Sequence, residues 1–361
     1  MDPAGFFYPA VDSSRCIECG ACERVCPFIP DEESFNYPRH AYAARIKSVS
    51  EQHGSSSGGA AYAIGRLVLQ DGGVVYGCTA EKLDIKHIRV EDLENLSSLR
   101  GSKYVQSNVN DLFVRVRSDL KSGRCVAFIS TPCQVYGLRK FLMKDYDNLL
   151  CVDLICHGTP SQKMLHDHVR YISRGAHVDS ISFRKGNTFS LCISSQGTDI
   201  WNADVWAEPM KDMYYRAFID GLSYRPSCNV CPFGCTERIS DITVGDFWGL
   251  KDSTLFAAEQ SLGTSLILPN TAKGEMIVHA LADYMTLVER SIQEAVDGNT
   301  QLRHPVLRTR ACKIFNCLYP TVQFDLAVRL AISDRIAIAS IKKILRPLKP
   351  VLMPIINVVR R

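Results

Sequence analysis

The sequence lacks any apolar run near the ~18–20 residues needed to span a bilayer, and it shows no secretory leader. It also lacks a marked charge excess. A net charge of +4 over 361 residues is too small to argue for nucleic acid. Nor is there a secreted disulfide pattern. Seven of the fifteen cysteines gather in two clusters built on C-x2-C, which points to a reducing cytoplasm. What remains is ordinary for a soluble globular protein: 46% apolar and 22% charged residues, in a chain long enough for two or three domains.

Against that background one stretch stands out, Cys16-Ile-Glu-Cys19-Gly-Ala-Cys22-Glu-Arg-Val-Cys26-Pro27. This is C-x2-C-x2-C-x3-C-P, the run by which bacterial-type ferredoxins hold [4Fe-4S] clusters. Two-residue spacings let one tight loop aim three thiolates at three corners of a cube. Gly20 supplies the positive φ that such a loop needs, and small Ala21 lets backbone N–H groups approach the sulfurs. Zinc ribbons instead use two separated C-x2-C pairs. In two-cluster ferredoxins the fourth cysteine ligates the other cluster. Only fifteen residues precede Cys16, and they contain no second motif. The expectation is either one cluster with a substitute fourth ligand or an upstream coding stretch with the matching motif.

Further along, Ala41 to Arg45 reads as a strand. Gly54-Ser55-Ser56-Ser57-Gly58-Gly59 then runs into a helical pattern from Ala60 to Leu69. Free N–H groups at a helix start bind anions, and glycines let a phosphate come close; the plain alternative is an N-cap in a turn. Val74 to Cys78 reads as a strand. Arg100-Gly101-Ser102-Lys103-Tyr104-Val105-Gln106-Ser107 combines a cation, hydroxyls, a ring and an amide, suited either to a pyrophosphate or to solvent. Val126 to Ile129 and Leu149 to Ile155 are continuous apolar runs of the buried parallel-strand kind. They end in Thr131-Pro132-Cys133-Gln134 and Cys156-His157-Gly158, polar turns of the sort that form sites at the carboxyl edge of a doubly wound sheet. A buried inert thiol is the competing account of each of these cysteines.

Ser180 to Ser195 and Ile200 to Trp206 read as short strands, and Met213 to Phe218 as helix. A second cysteine-rich stretch follows, Cys228-Asn-Val-Cys231-Pro-Phe-Gly-Cys235. It offers three ligands to a second cluster, one missing ligand to the first, or half a zinc site completed by Cys156 and His157. From Gln323 to Arg361 the chain carries eight Lys/Arg against Asp325 and Asp334, a local net of +6, so the rest sums to −2. Such a basic, proline-broken tail suits peripheral contact with an anionic membrane, a solvated helix packed on the body, or a docked partner.

These motifs occur together and in order. The ferredoxin run, Ser56 to Ala60, Gly101 to Ser107, Thr131 to Gln134, Asp153 to Gly158, Arg225-Pro226-Ser227-Cys228 and Ser240-Asp-Ile-Thr-Val-Gly-Asp-Phe-Trp-Gly249 resemble the coenzyme F420 hydrogenase/dehydrogenase beta-subunit family from about Gly5 to about Leu281. The resemblance implies an α/β iron–sulfur flavoprotein, with a small ferredoxin-like 4Fe-4S module, a mixed-sheet flavin-binding domain and a helical basic tail. It implies segments 1–38, 39–122, 123–290 and 291–361: the 4Fe-4S module, the family's N-terminal-type and C-terminal-type domains, and the extension. It further implies one 4Fe-4S cluster on Cys16, Cys19, Cys22 and Cys26, and FAD held by Ser56, Ser57, Gly58, Gly59, Ser102, Lys103, Tyr104, Gln106, Thr131, Pro132 and Gln134. A second cluster would use Cys156, Cys228 and Cys231, with Cys133 or Cys235. The implied activity moves electrons between clusters, FAD and a hydride-carrying small molecule such as a deazaflavin, with a ferredoxin or other redox protein as partner. Relatives also include chlorophyll-derivative reductases and accessory proteins of polysaccharide gene clusters. A non-catalytic electron-transfer or scaffold protein is the alternative.

Overall fold

The computed structural model describes residues 1–28, 35–52, 54–186, 188–250 and 263–336. Among these, the strands are β1 (Ala41–Ile46), β2 (Val74–Glu81), β3 (Asp84–Val90), β4 (Val126–Ser130), β5 (Leu149–Leu154), β6 (Ser180–Lys185), β7 (Thr188–Ser195), β8 (Thr198–Asp204), β9 (Ile242–Asp246), β10 (Ser265–Pro269) and β11 (Met285–Arg290). Eight of them form one mixed sheet in the order β11-β1-β10-β9-β5-β4-β2-β3, so strands from 39–122 and from 123–290 share a single sheet. Its centre, β9-β5-β4-β2, is parallel, and the flanking pairs are antiparallel.

The apolar runs of the sequence become the parallel centre because both faces of that centre are covered. Along β4, Ala127 packs with Ala63, Ile64 and Val68 of the helix Ala60–Gln70 on one face. Val126 and Phe128 pack on the other face with Leu112, Val116, Val135 and Leu138 of the helices Leu112–Lys121 and Pro132–Leu142. Burying a side chain such as Phe128 contributes about 1.5–3 kcal/mol. The strand expected from Val74 continues to Glu81 and turns into β3, whose half-buried alternation ends at the sheet edge.

The second sheet is the antiparallel meander β6-β7-β8. With the helices Gln162–Ser173, Met213–Ile219, Arg310–Leu318 and Phe324–Ala331 it encloses an aromatic core that includes Phe183, Tyr214, Tyr215, Phe315 and Phe324. The described part of the basic tail is therefore packed on the body. Its Asp325 meets one nitrogen of the buried His168 ring at 2.9 Å, and Asp212 meets the other at 3.1 Å. The apolar run from Val351 to Val359 lies outside the described residues. No described helix is long and apolar enough to cross a membrane.

The amino-terminal segment docks onto the same body. Phe6 is buried in the aromatic core, and the Ser161 hydroxyl donates to the Ala4 carbonyl at 2.5 Å. The cysteine loop that follows projects outward from this anchor.

Candidate functional site: two sets of cysteines and a polar edge

The carboxyl ends of β2, β4, β5 and β9 all point to one edge of the sheet, the edge where open α/β sheets bind ligands. Cys133 sits in the first turn of the helix after β4. Burial raises its thiol above the ordinary value, and the Thr131 hydroxyl with the Gln134 and Cys133 N–H groups acts against that rise. Cys156 follows β5, Cys228 lies within the short 3-10 turn Pro226–Val230, and Cys231 caps that turn. Four cysteines from three distant stretches thus share one neighbourhood. Burial, then Cys228, Cys133 and Cys231, holds the Cys156 thiol well above its ordinary value. Burial pushes Cys231 up to about 12, with Cys133 and Cys228 adding to it.

Cys235 is set apart. Its thiol donates to the carbonyls of its own loop, Pro232 at 3.4 Å and Glu237 at 3.2 Å. Arg238, almost fully buried, fixes that loop by donating to the Phe233 and Cys235 carbonyls while pairing with Asp153 at 3.0 Å. Cys133 and His157 keep solvent contact. Burial lowers the basicity of His157, in the opposing fields of Asp246 and Arg184.

The chemistry of this donor set fits an iron–sulfur group. Four thiolates crowded together repel one another and lose hydration, so they ionise together only around a cationic core. Among the described residues, no three His, Cys, Asp or Glu side chains are close enough to chelate a single metal ion. A single zinc with ~2.3 Å bonds to sulfur demands a tighter group than a four-iron cube does.

The amino-terminal set is built differently. Cys16, Cys19 and Cys22 are exposed and Cys26 is half-buried. Gly20 takes φ +67° as the loop requires and caps the short helix Ala21–Arg24, and the Arg24 guanidinium donates to the Cys19 carbonyl at 2.9 Å.

Beside the inner cysteines the serine–glycine turn and the 100–107 loop meet. The Ser102 N–H donates to Ser56 Oγ at 2.6 Å. Gly58 is required by close approach: a Cβ there would collide with the Ala44 carbonyl oxygen. Gly59 caps the helix Ala60–Gln70 in the left-handed conformation. Ser55 Oγ, Ser57 Oγ and Arg100 Nε are buried without a hydrogen-bond partner, so the turn holds polar atoms suited to an anionic group. Arg100 stacks on Tyr62 at 3.7 Å. Tyr62 also lines a small apolar cavity of about 40 Å³ with Gly77, Leu99 and Ile129, far below the ~300 Å³ of a ligand pocket.

Lys103 turns inward, donating to the carbonyls of Cys78 (2.9 Å), Leu99 (3.1 Å) and Arg100 (2.7 Å), and burial lowers its basicity to about 8. It shapes the loop. Tyr104 packs its ring 4.6 Å from Phe218 and accepts from Arg184 at 2.9 Å. The Gln106 N–H donates to the Pro160 carbonyl at 2.8 Å, just beyond Cys156. The Gln134 amide accepts from Ser130 and Thr131 and donates to the Ser107 carbonyl at 3.1 Å, and Pro132 opens its helix. The 100–107 loop therefore touches each of the other two stretches assigned to the flavin by resemblance. Arg184, paired with Asp246 at 2.5 Å, gave no sequence signal, because its partner lies on another sheet.

An α/β protein with an outward ferredoxin-type loop and an internal four-cysteine set is an iron–sulfur protein by its site. Residues 9–28 match the model of the 4Fe-4S binding domain. Residues 123–295 match the model for the carboxyl terminus of the coenzyme F420 hydrogenase/dehydrogenase beta subunit. The chain is similar to that beta-subunit family over residues 123–295, as the motif resemblance implies. Its fold is similar to that of a chain from the xenon-derivatized F420-reducing [NiFe] hydrogenase complex of Methanosarcina barkeri. The TM-score is 0.50 at 19% identity, over 76% of this chain and 94% of that one. No curated protein matches the chain.

Proposed function

We propose that the protein is an iron–sulfur flavoprotein oxidoreductase that exchanges electrons between a redox partner protein and a hydride-carrying small molecule. The observation that carries this reading is the meeting of Cys133, Cys156, Cys228 and Cys231 at the carboxyl edge, beside the contacting serine–glycine, 100–107 and 131–134 segments. When bound, 4Fe-4S groups supply one-electron transfer and FAD supplies the conversion between hydride and single electrons.

In this reading Cys133 is the fourth inner ligand, because Cys235 is engaged by its own loop. Cys16, Cys19, Cys22 and Cys26 hold the outer group. Ser55, Ser57 and Arg100 bind the flavin pyrophosphate at the start of the helix Ala60–Gln70. Lys103 and Gln134 fix the loop around it without themselves reaching the phosphate. The thiols release protons when the iron group assembles, so loading favours neutral to mildly alkaline pH.

Anaerobic purification followed by iron, sulfide and flavin quantitation tests the reading. Stoichiometric FAD released on denaturation is expected. A protein that holds iron–sulfur groups without flavin would instead be an electron-transfer or scaffold protein.

A further inference from the structure

Arg225 occupies a position that neither cysteine set explains. Its guanidinium donates to the Phe7 carbonyl at 2.8 Å and lies 4.5 Å from the centre of the Tyr8 ring. Both residues belong to the anchor that carries the outer cysteine loop. The Arg225 backbone faces the other way. Its N–H donates to the Thr159 carbonyl at 3.0 Å, three residues after Cys156, and its carbonyl accepts from the Cys228 N–H at 2.8 Å. Arg225 is thus tied through its backbone to the stretches that carry Cys156 and Cys228.

We propose that Arg225 is a positioning residue that fastens the outer iron–sulfur segment to the inner site and raises the reduction potential of the inner group. The proposal rests on the four-cysteine reading above. A fixed cation stabilises the form with the greater negative charge. Reduction adds one negative charge to the inner group, so Arg225 favours the reduced form. The guanidinium also suits the fastening role, because its planar fork donates to a carbonyl while its face lies on an aromatic ring.

The test uses the full-length protein with its iron–sulfur groups loaded anaerobically, comparing wild type with Arg225→Gln and Arg225→Lys. Two readouts are taken: the midpoint potential of each group by EPR-monitored redox titration, and hydrogen exchange over residues 2–8. Arg225→Gln is expected to shift the inner reduction equilibrium about tenfold toward the oxidised form, which is 59 mV for one electron. It should also speed exchange in the 2–8 segment. Arg225→Lys should keep most of the potential while loosening the segment, because the charge stays and the fork is lost. An inner group present in Arg225→Gln at unchanged potential, with unchanged exchange, overturns this inference alone. A wild-type protein with no inner iron–sulfur group overturns the four-cysteine reading and this inference together.

Discussion

The two cysteine sets contrast in nearly every physical respect. The outer set comes from eleven consecutive residues, projects into solvent, and owes its geometry to one glycine and a single helical turn. The inner set is drawn from residues 133, 156, 228 and 231, and it exists only once β4 and β5 lie side by side. The outer loop can therefore bind iron by local preference. The inner cysteines meet only through the whole sheet, and burial holds the Cys156 and Cys231 thiols above their ordinary values. Loss of fold should empty the inner site first.

The largest expected effect follows from removing one inner ligand. Cys156→Ser should abolish the inner group, lowering bound iron by about four per chain while the outer signal persists. Iron analysis with EPR of the dithionite-reduced protein checks it. Equal loss of both signals would mean that the two sets are not separate sites.

Next comes the packing of the helices around the aromatic core beside the second sheet. His168 lies buried between Asp212 and Asp325; burial alone would lower its basicity, but the two carboxylates lift it to about 10. His168→Asn should destabilise the protein by about 3–5 kcal/mol in chemical denaturation, since it strands two buried carboxylates. A histidine whose pKa is raised on folding contributes fully below its ordinary value and loses that contribution as pH rises through its folded value. Wild type should therefore lose stability from about pH 6.5 towards pH 10, and the variant should lack that alkaline slope. The inner group's iron should fall along with stability, and the outer group's should not.

A smaller effect is expected at the serine–glycine turn. Gly58→Ala places a methyl group against the backbone of Ala44 and Ser265, and should cost about 1–3 kcal/mol. Flavin content should drop more than iron content does. The smallest effect belongs to Cys235→Ser, which should leave total iron unchanged because that thiol hydrogen-bonds within its own loop. Loss of the inner signal in this variant would exchange the roles of Cys235 and Cys133.

The difference between the regions also governs what could be read from the chain. The outer loop was fully legible, since C-x2-C-x2-C-x3-C-P is a local pattern and Gly20 adopts the φ it implies. The runs of β4 and β5 were legible because burial on both faces removes polar alternation. The hydrogen bonds that hold Cys235 within its own loop were not legible, because they depend on which loop Arg238 ties down. The inward turn of Lys103 onto three carbonyls was equally hidden, as was the Arg184–Asp246 pair joining two sheets. Each depends on partners that only the folded chain brings near. The packing of Phe324–Ala331 was one of several readings of the tail, and the buried His168 contact selects it for the described part.

The most direct measurement is iron and EPR analysis of a Cys19→Ser variant, purified and reduced anaerobically. This substitution breaks the outer set alone. The account predicts about four irons per chain and one remaining cluster signal, from the inner cysteines. A Cys19→Ser protein that folds normally yet holds no iron would contradict it.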